Sequence, residues 1–177
     1  NTLARFAEPM LERLVAETRM PVVAHLGVLN HSDVVYASKV SARRAPAVVT
    51  SIGVRLPAHL TATGRAMLAA LPEAQLRALY PSTRELITHA GPGPANLREL
   101  DAILAQVRDR GWATEDGEIT LDYASVATAV LDHNGYPAAA IGLTFRGAAV
   151  EQRHVQRLGL ATAKAAAALS QRIRGKI

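Results

Sequence analysis

Leu3, Phe6, Met10, Leu11 and Leu14 recur at the three-to-four-residue spacing of a single helix face, and Glu8, Glu12 and Arg13 supply much of the polar one, so the chain opens in an amphipathic helix. Pro21 closes it. Residues 22–29 and 34–40 then read as two strands joined through Asn30 to Asp33, an antiparallel hairpin, with a short third strand expected at 47–51 and a loop over 53–59. From Thr61 the period becomes helical again. Ala62, Ala66 and Ala69 permit close approach to another element, while Met67, Leu68 and Leu71 supply apolar volume. Pro72 begins a second short helix through Leu79, and the Pro- and Gly-rich stretch after Pro81 interrupts regular structure. Asn96 as cap, Glu99 three residues on, and Leu100, Ile103, Leu104 and Val107 predict a helix over 97–110 that Gly111 terminates. Strands are expected at 112–115, 123–131 and 137–145, the last two joined by the DHNG turn at 132–135. A long helix follows over 151–173, with Val155, Leu158, Ala161, Ala165, Leu169 and Ile173 inward. The order of elements favours a mixed α+β sandwich over a doubly wound parallel sheet.

A length of 177 residues with 49% hydrophobic content suits one compact domain with its own core. The chain has no cysteine, which excludes disulfides, thiolate zinc sites and a cysteine nucleophile. No apolar run reaches membrane-spanning length and the first 17 residues are unlike a secretory leader, so a cytoplasmic location without membrane partners is the expectation. The chain begins inside an apparent helix and without methionine, so further residues are expected upstream. A net charge of +5 raises the question of nucleic acid. The arginines are scattered, however, with a pair at Arg43 and Arg44 and a tail cluster at Arg172, Arg174 and Lys176. No recognition helix or aromatic stacking platform accompanies them, so a solvated face or partner contact is the preferred reading.

The segment GVRLPAHLTATGRAMLAALP, residues 53–72, resembles the central signature of the isocitrate lyase regulator family of bacterial transcription factors: a glycine, a Pro-x-His turn, a small-residue helix start, a basic residue and an apolar run. RGWATEDGE at 110–118, the ATAVLDHNGYPAAAIGL strand-turn-strand at 127–143 and the Ala-rich last helix carry the resemblance over nearly the whole chain. It implies the family's carboxy-terminal effector domain, with an α+β, GAF-like or profilin-like fold in which a curved antiparallel sheet is flanked by helices. In that frame residues 1–18 are the end of a connector helix and 19–177 the effector-binding and oligomerisation domain, with the amino-terminal winged helix-turn-helix absent. The implied partners are a small organic acid effector and further copies of the chain, as homo-dimer or homo-tetramer. Operator DNA would be reached only through the absent amino-terminal domain, and no cofactor is implied.

The helix start at Thr61 gives this a mechanism, because free backbone donors near Ala62, Thr63 and Gly64, together with the local dipole, stabilise a carboxylate. By the resemblance, Leu56, Ala62 and Thr63 fall at effector-contact positions, with Ala45 and Leu56 on the apolar wall. Glu115 falls where the family places an acidic pocket residue, near Ser125, a position that is often cysteine in the family. Asp122 and Ala129 depart from its usual glycine and proline. An acid beside a carboxylate repels it unless a proton, water or hydroxyl intervenes; the alternative for Glu115 is an ordinary solvated turn acid. Strand alternation puts Ser125, Ala127 and Ala129 on one face, as ligand space or helix packing, and Ile141 and Leu143 are candidate apolar boundaries or core. His59 either orients the helix start or contacts the effector.

His25, His31, His89, His133 and His154 have no metal-ligand spacing, and no nucleophile elbow surrounds Ser125, so neither a metal site nor an enzyme is expected. The competing readings are a purely structural oligomerisation domain and, more remotely, an enzyme acting on a small organic acid.

Overall fold

The computed structural model describes residues 2–47 and 52–175. Helix α1 (Thr2–Thr18) leads into strands β1 (Val23–Asn30) and β2 (Asp33–Ser41), then β3 (Arg55–Pro57) and a 3-10 turn at Ala58–Leu60. Helices α2 (Ala62–Ala70), α3 (Glu73–Leu79) and α4 (Leu97–Arg110) follow, then β4 (Ala113–Asp116), β5 (Tyr123–Leu131), β6 (Pro137–Arg146) and α5 (Gln152–Arg174). The strands form one curved antiparallel sheet in the order β3-β2-β1-β6-β5-β4, an α+β architecture as expected.

Each face of the sheet carries its own core. On one, α1 and α5 bring Leu11, Leu14, Leu158 and Leu169 onto Leu26, Val126, Ile141, Leu143 and Phe145. On the other, α2 and α4 set Met67, Leu68, Leu100 and Leu104 against Val34, Tyr36, Ala113, Ala127 and Ala140. Adjacent residues along β5 and β6 thus alternate between two packed faces, which is why apolar residues predominate on both sides of these strands.

Local chemistry sets the helix ends. Asn96 caps α4 by accepting the Glu99 N–H at 2.9 Å, and Gly111 ends it at φ 95°, a left-handed position that favours glycine. The Glu99 carboxylate, placed by its spacing for a capping box, instead accepts the Ala95 N–H one residue upstream at 3.4 Å. The strand expected at 47–51 lies largely outside the described residues, and Ala47 itself is in no strand. The stretch 53–59, expected as loop, holds β3, because Val34 and Val35 pair with Leu56 and Arg55 and supply the ladder that local composition does not advertise.

Candidate functional site

A cavity lies where the first turn of α2 meets the sheet. Leu56, Thr61, Ala62 and Thr63 line it from the α2 side, His25, Tyr36, Ser125, Gly142 and Thr144 from the strands, and Glu115, Ile119, Thr120 and Tyr123 from β4 and the connection to β5. The centre of a water-sized sphere can move through about 30 Å³ of it, room for about one or two waters.

Helix α2 reaches this place because glycines leave room for it. A Cβ on Gly142 would come within 2.8 Å of the Thr63 methyl, and one on Gly27 within 3.6 Å of Thr63. Gly64 serves the other side, where a Cβ would meet the Ala58 carbonyl oxygen at 2.2 Å. The Thr61 hydroxyl oxygen takes the Gly64 N–H at 3.0 Å. The amides of Ala62 and Thr63, in the first turn, have no intrahelical acceptor and belong to residues of the cavity wall. A carboxylate placed there receives two N–H donors and the positive end of the helix.

Opposite the helix, cross-strand pairing sets Glu115 beside Ser125 and Ser125 beside Thr144, one polar row across three strands. The Ser125 and Thr144 hydroxyls are 2.8 Å apart. The Tyr36 hydroxyl lies 3.5 Å from that of Thr63, and its ring stacks at 4.5 Å on His25. Burial pushes the Tyr36 phenol up to about 12, with the facing Glu115 adding to the shift against the Thr63 hydrogen bond, so it stays protonated and able to donate.

Glu115 is 7% exposed. Burial pushes its carboxyl up to about 7; the Glu118 N–H, which it accepts at 3.2 Å, the Ser125 hydroxyl and Arg65 pull the other way. The nearby cation is already committed. Arg65, itself buried, binds both Glu118 carboxylate oxygens through its two terminal nitrogens and donates to the carbonyls of His59 at 2.8 Å and Thr114 at 3.0 Å. This guanidinium ties α2 to β4 and the β4–β5 connection, so the helix start and the cavity's outer wall are held as one unit.

Of the residues expected at the site, Leu56, Ala62, Thr63, Glu115 and Ser125 come together around the cavity. The others lie elsewhere. His59 is buried behind α2, donating from Nε2 to the Ile87 carbonyl at 2.7 Å, with burial holding its pKa below the ordinary value. Gly64 packs on the 3-10 turn, and Ala127 lies in the α2/α4 core. Ala45 lines a separate groove with Met20, Pro21 and Phe145. Ile141 and Leu143 sit on the opposite face of the sheet, in the α1/α5 core. Their displacement has a physical cause. Leu131 pairs with Pro137 next to the turn, a register that continued unbroken would set Ser125 opposite Leu143. An irregularity between Val130 and Leu131 shifts it by one, so Ser125 pairs with Thr144 and Ala127 with Gly142. The same shift hides Gly142 and Thr144 from a reading along the strand. His25, Tyr36, Ile119, Thr120 and Tyr123 were also missed; β1 is apolar at both parities, so strand alternation gave no signal for His25.

The sequence model of the bacterial transcriptional regulator IclR C-terminal domain matches residues 1–171. The Escherichia coli regulator XynR is 32% identical over 151 residues, covering 80% of this chain and 58% of its own length. The Escherichia coli repressor IclR is 30% identical over 170 residues, covering 94% and 60%. The Pca regulon regulatory protein of Pseudomonas putida is 31% identical over 143 residues, covering 80% and 48%. The chain thus spans about half to three-fifths of these relatives. Among solved structures, Thermotoga maritima IclR superimposes with a TM-score of 0.87 at 22% identity over 98% of this chain and 69% of its own. The Agrobacterium tumefaciens repressor BlcR does so with a TM-score of 0.79 at 27% identity, over 96% and 71%. With the family model spanning both cores and the cavity between α2 and the sheet, this chain belongs to the C-terminal domains of IclR-family bacterial transcription regulators.

Proposed function

We propose that this domain senses a small organic acid and passes its presence to a DNA-binding domain elsewhere in the protein, working as a homo-dimer or homo-tetramer in the cytoplasm. The observation that supports this best is the juxtaposition, in one cavity, of the α2 amides at Ala62 and Thr63 with the hydroxyls of Tyr36, Thr63, Ser125 and Thr144. The amides suit a carboxylate; the hydroxyls, which both donate and accept, suit the keto or hydroxyl oxygen of the same small molecule. The domain's role is binding and not turnover, in keeping with relatives named as regulators and repressors.

The enclosed part of the cavity is small, so an effector that seats fully inside it enters by moving a wall. Within the β4–β5 connection Glu118 is tethered to α2 by Arg65, so the wall segment that moves is Ile119 and Thr120, which lie in no strand ladder. A ligand that favours the displaced wall shifts the population of domain conformations, and regulation requires that difference in affinity between states.

Thermal unfolding against aliphatic and aromatic carboxylates tests the proposal. One chemical series at about 100 times its Kd stabilises the domain by about 2.7 kcal/mol. Ser125→Leu, which fills the cavity, abolishes that gain. Failure of the whole panel to shift the native domain while it still self-associates would favour a purely structural oligomerisation domain.

A further inference from the structure

We propose that the effector is bound together with one proton, carried by the Glu115 carboxyl, which donates to a keto, hydroxyl or carboxylate oxygen of the acid. This inference rests on the effector-sensing reading above and specifies the ligand class: a small acid monoanion with an oxygen function facing Glu115.

Charge is crowded in this partly enclosed cavity. An acid anion at the Ala62 and Thr63 amides shares a cavity with Glu115, which is 7% exposed. Two anions this close, one of them on a buried side chain, repel. The groups facing Glu115 from the neighbouring elements are His25 on β1, Tyr36 on β2, Arg65 on α2, Glu118 in the β4–β5 connection and Tyr123 at the start of β5. Among them Arg65 carries the fixed positive charge, and Glu118 already claims it through two oxygens. Glu118 itself adds a negative charge next to Glu115. The Tyr36 phenol stays neutral, so it relieves the repulsion only as a hydrogen-bond donor. Protonating Glu115 removes the repulsion and converts an acceptor-only carboxylate into a donor. The carboxyl is poised for this, because burial pushes it up to about 7, and a second anion pushes it higher.

The proton balance follows. Below pH 7 Glu115 is protonated before binding and affinity does not change with pH. Above it, each binding event takes a proton from solution, and affinity falls toward about ten-fold per pH unit. A neutral analogue carries no such dependence.

The experiment is calorimetric titration of the 177-residue chain with pyruvate, lactate, glyoxylate and 4-hydroxybenzoate, from pH 6 to 9, in pairs of buffers that differ in ionisation enthalpy. For an acid that binds, uptake of up to one proton at pH 8 and a ten-fold fall in affinity from pH 8 to 9 are expected. Glu115→Gln should remove both, and lactamide in place of lactate should show neither. Binding of an acid with no proton uptake and no pH slope overturns the proton inference while leaving effector sensing intact. Uptake that persists in Glu115→Gln and vanishes in His25→Asn also overturns it, because the proton then resides on the imidazole. Absence of binding by every acid overturns the sensing reading and the inference with it.

Discussion

Glu115 carries an energetic penalty in the native protein. Its carboxyl is ordinarily near 4.5 and burial pushes it up to about 7, so between those values the folded state holds a proton that the unfolded state has released. Stability therefore falls as pH rises through this window. Once both states are ionised the accumulated loss is about 3 kcal/mol. Glu115→Gln, which keeps the shape and can still accept the Glu118 N–H, is expected to be more stable than the native chain by about that amount at pH 8, with the advantage shrinking to nothing below about pH 4.5. Urea denaturation of both proteins at pH 4.5 and pH 8 checks this, and equal stabilities at pH 8 would show that Glu115 ionises freely. A residue that weakens the fold on the wall of a cavity is what binding sites characteristically tolerate.

At the scale of elements, α2 and α4 make a controlled comparison. The start of α2 is held by Arg65 against Glu118, while α4 starts on Asn96 at an exposed end. Glu118→Gln leaves the buried guanidinium without its counter-ion and is expected to cost about 3 kcal/mol and to weaken acid binding, because the cavity's outer wall loses its tether to the helix. Asn96→Ala is expected to cost about 1 kcal/mol with acid affinity unchanged. Chemical denaturation and acid titration of both variants give the two readouts; equal effects on binding would mean that the tether does not hold the site.

The contrast also explains what the sequence makes legible. Helix α4 and strand β5 are readable to the residue, because a cap, a terminating glycine and a run of β-formers are local signals. Thr63, Glu115 and Ser125 are readable as site candidates through the family's signature and strand parity. Thr144 and Gly142 are not, since they face the cavity only after the register shift near Val130, and Ile141 and Leu143 take the other face for the same reason. Nor is β3, whose three residues are a strand only because β2 pairs with them.

The two faces of the whole molecule meet at Trp112 and Ala113, where α4 passes into β4. The Trp112 side chain packs in the α1/α5 core and Ala113 in the α2/α4 core, so neighbouring residues belong to different interiors. Gly159 in α5 leaves space for the indole: a Cβ there would meet the ring atoms at 2.3 to 2.6 Å, and Arg110 covers the ring with its guanidinium 4.4 Å from the centroid. Gly159→Ala thus sets two effects against each other. Replacing a mid-helix glycine by alanine favours the helix by about 1 kcal/mol. Forcing a well-packed ring aside costs about 1–3 kcal/mol, and contacts this short to a rigid, 5% exposed ring place the cost at or above the upper end. A net loss of about 2 kcal/mol is therefore expected, with an altered emission spectrum, since Trp112 is the single tryptophan of the chain. Urea unfolding followed by tryptophan fluorescence and by far-ultraviolet circular dichroism measures both. Because the two cores share one sheet and this junction, the two probes should still report coincident transitions in the variant. A fluorescence transition that precedes the loss of secondary structure would show instead that the α1/α5 face unfolds independently of the face that carries the cavity.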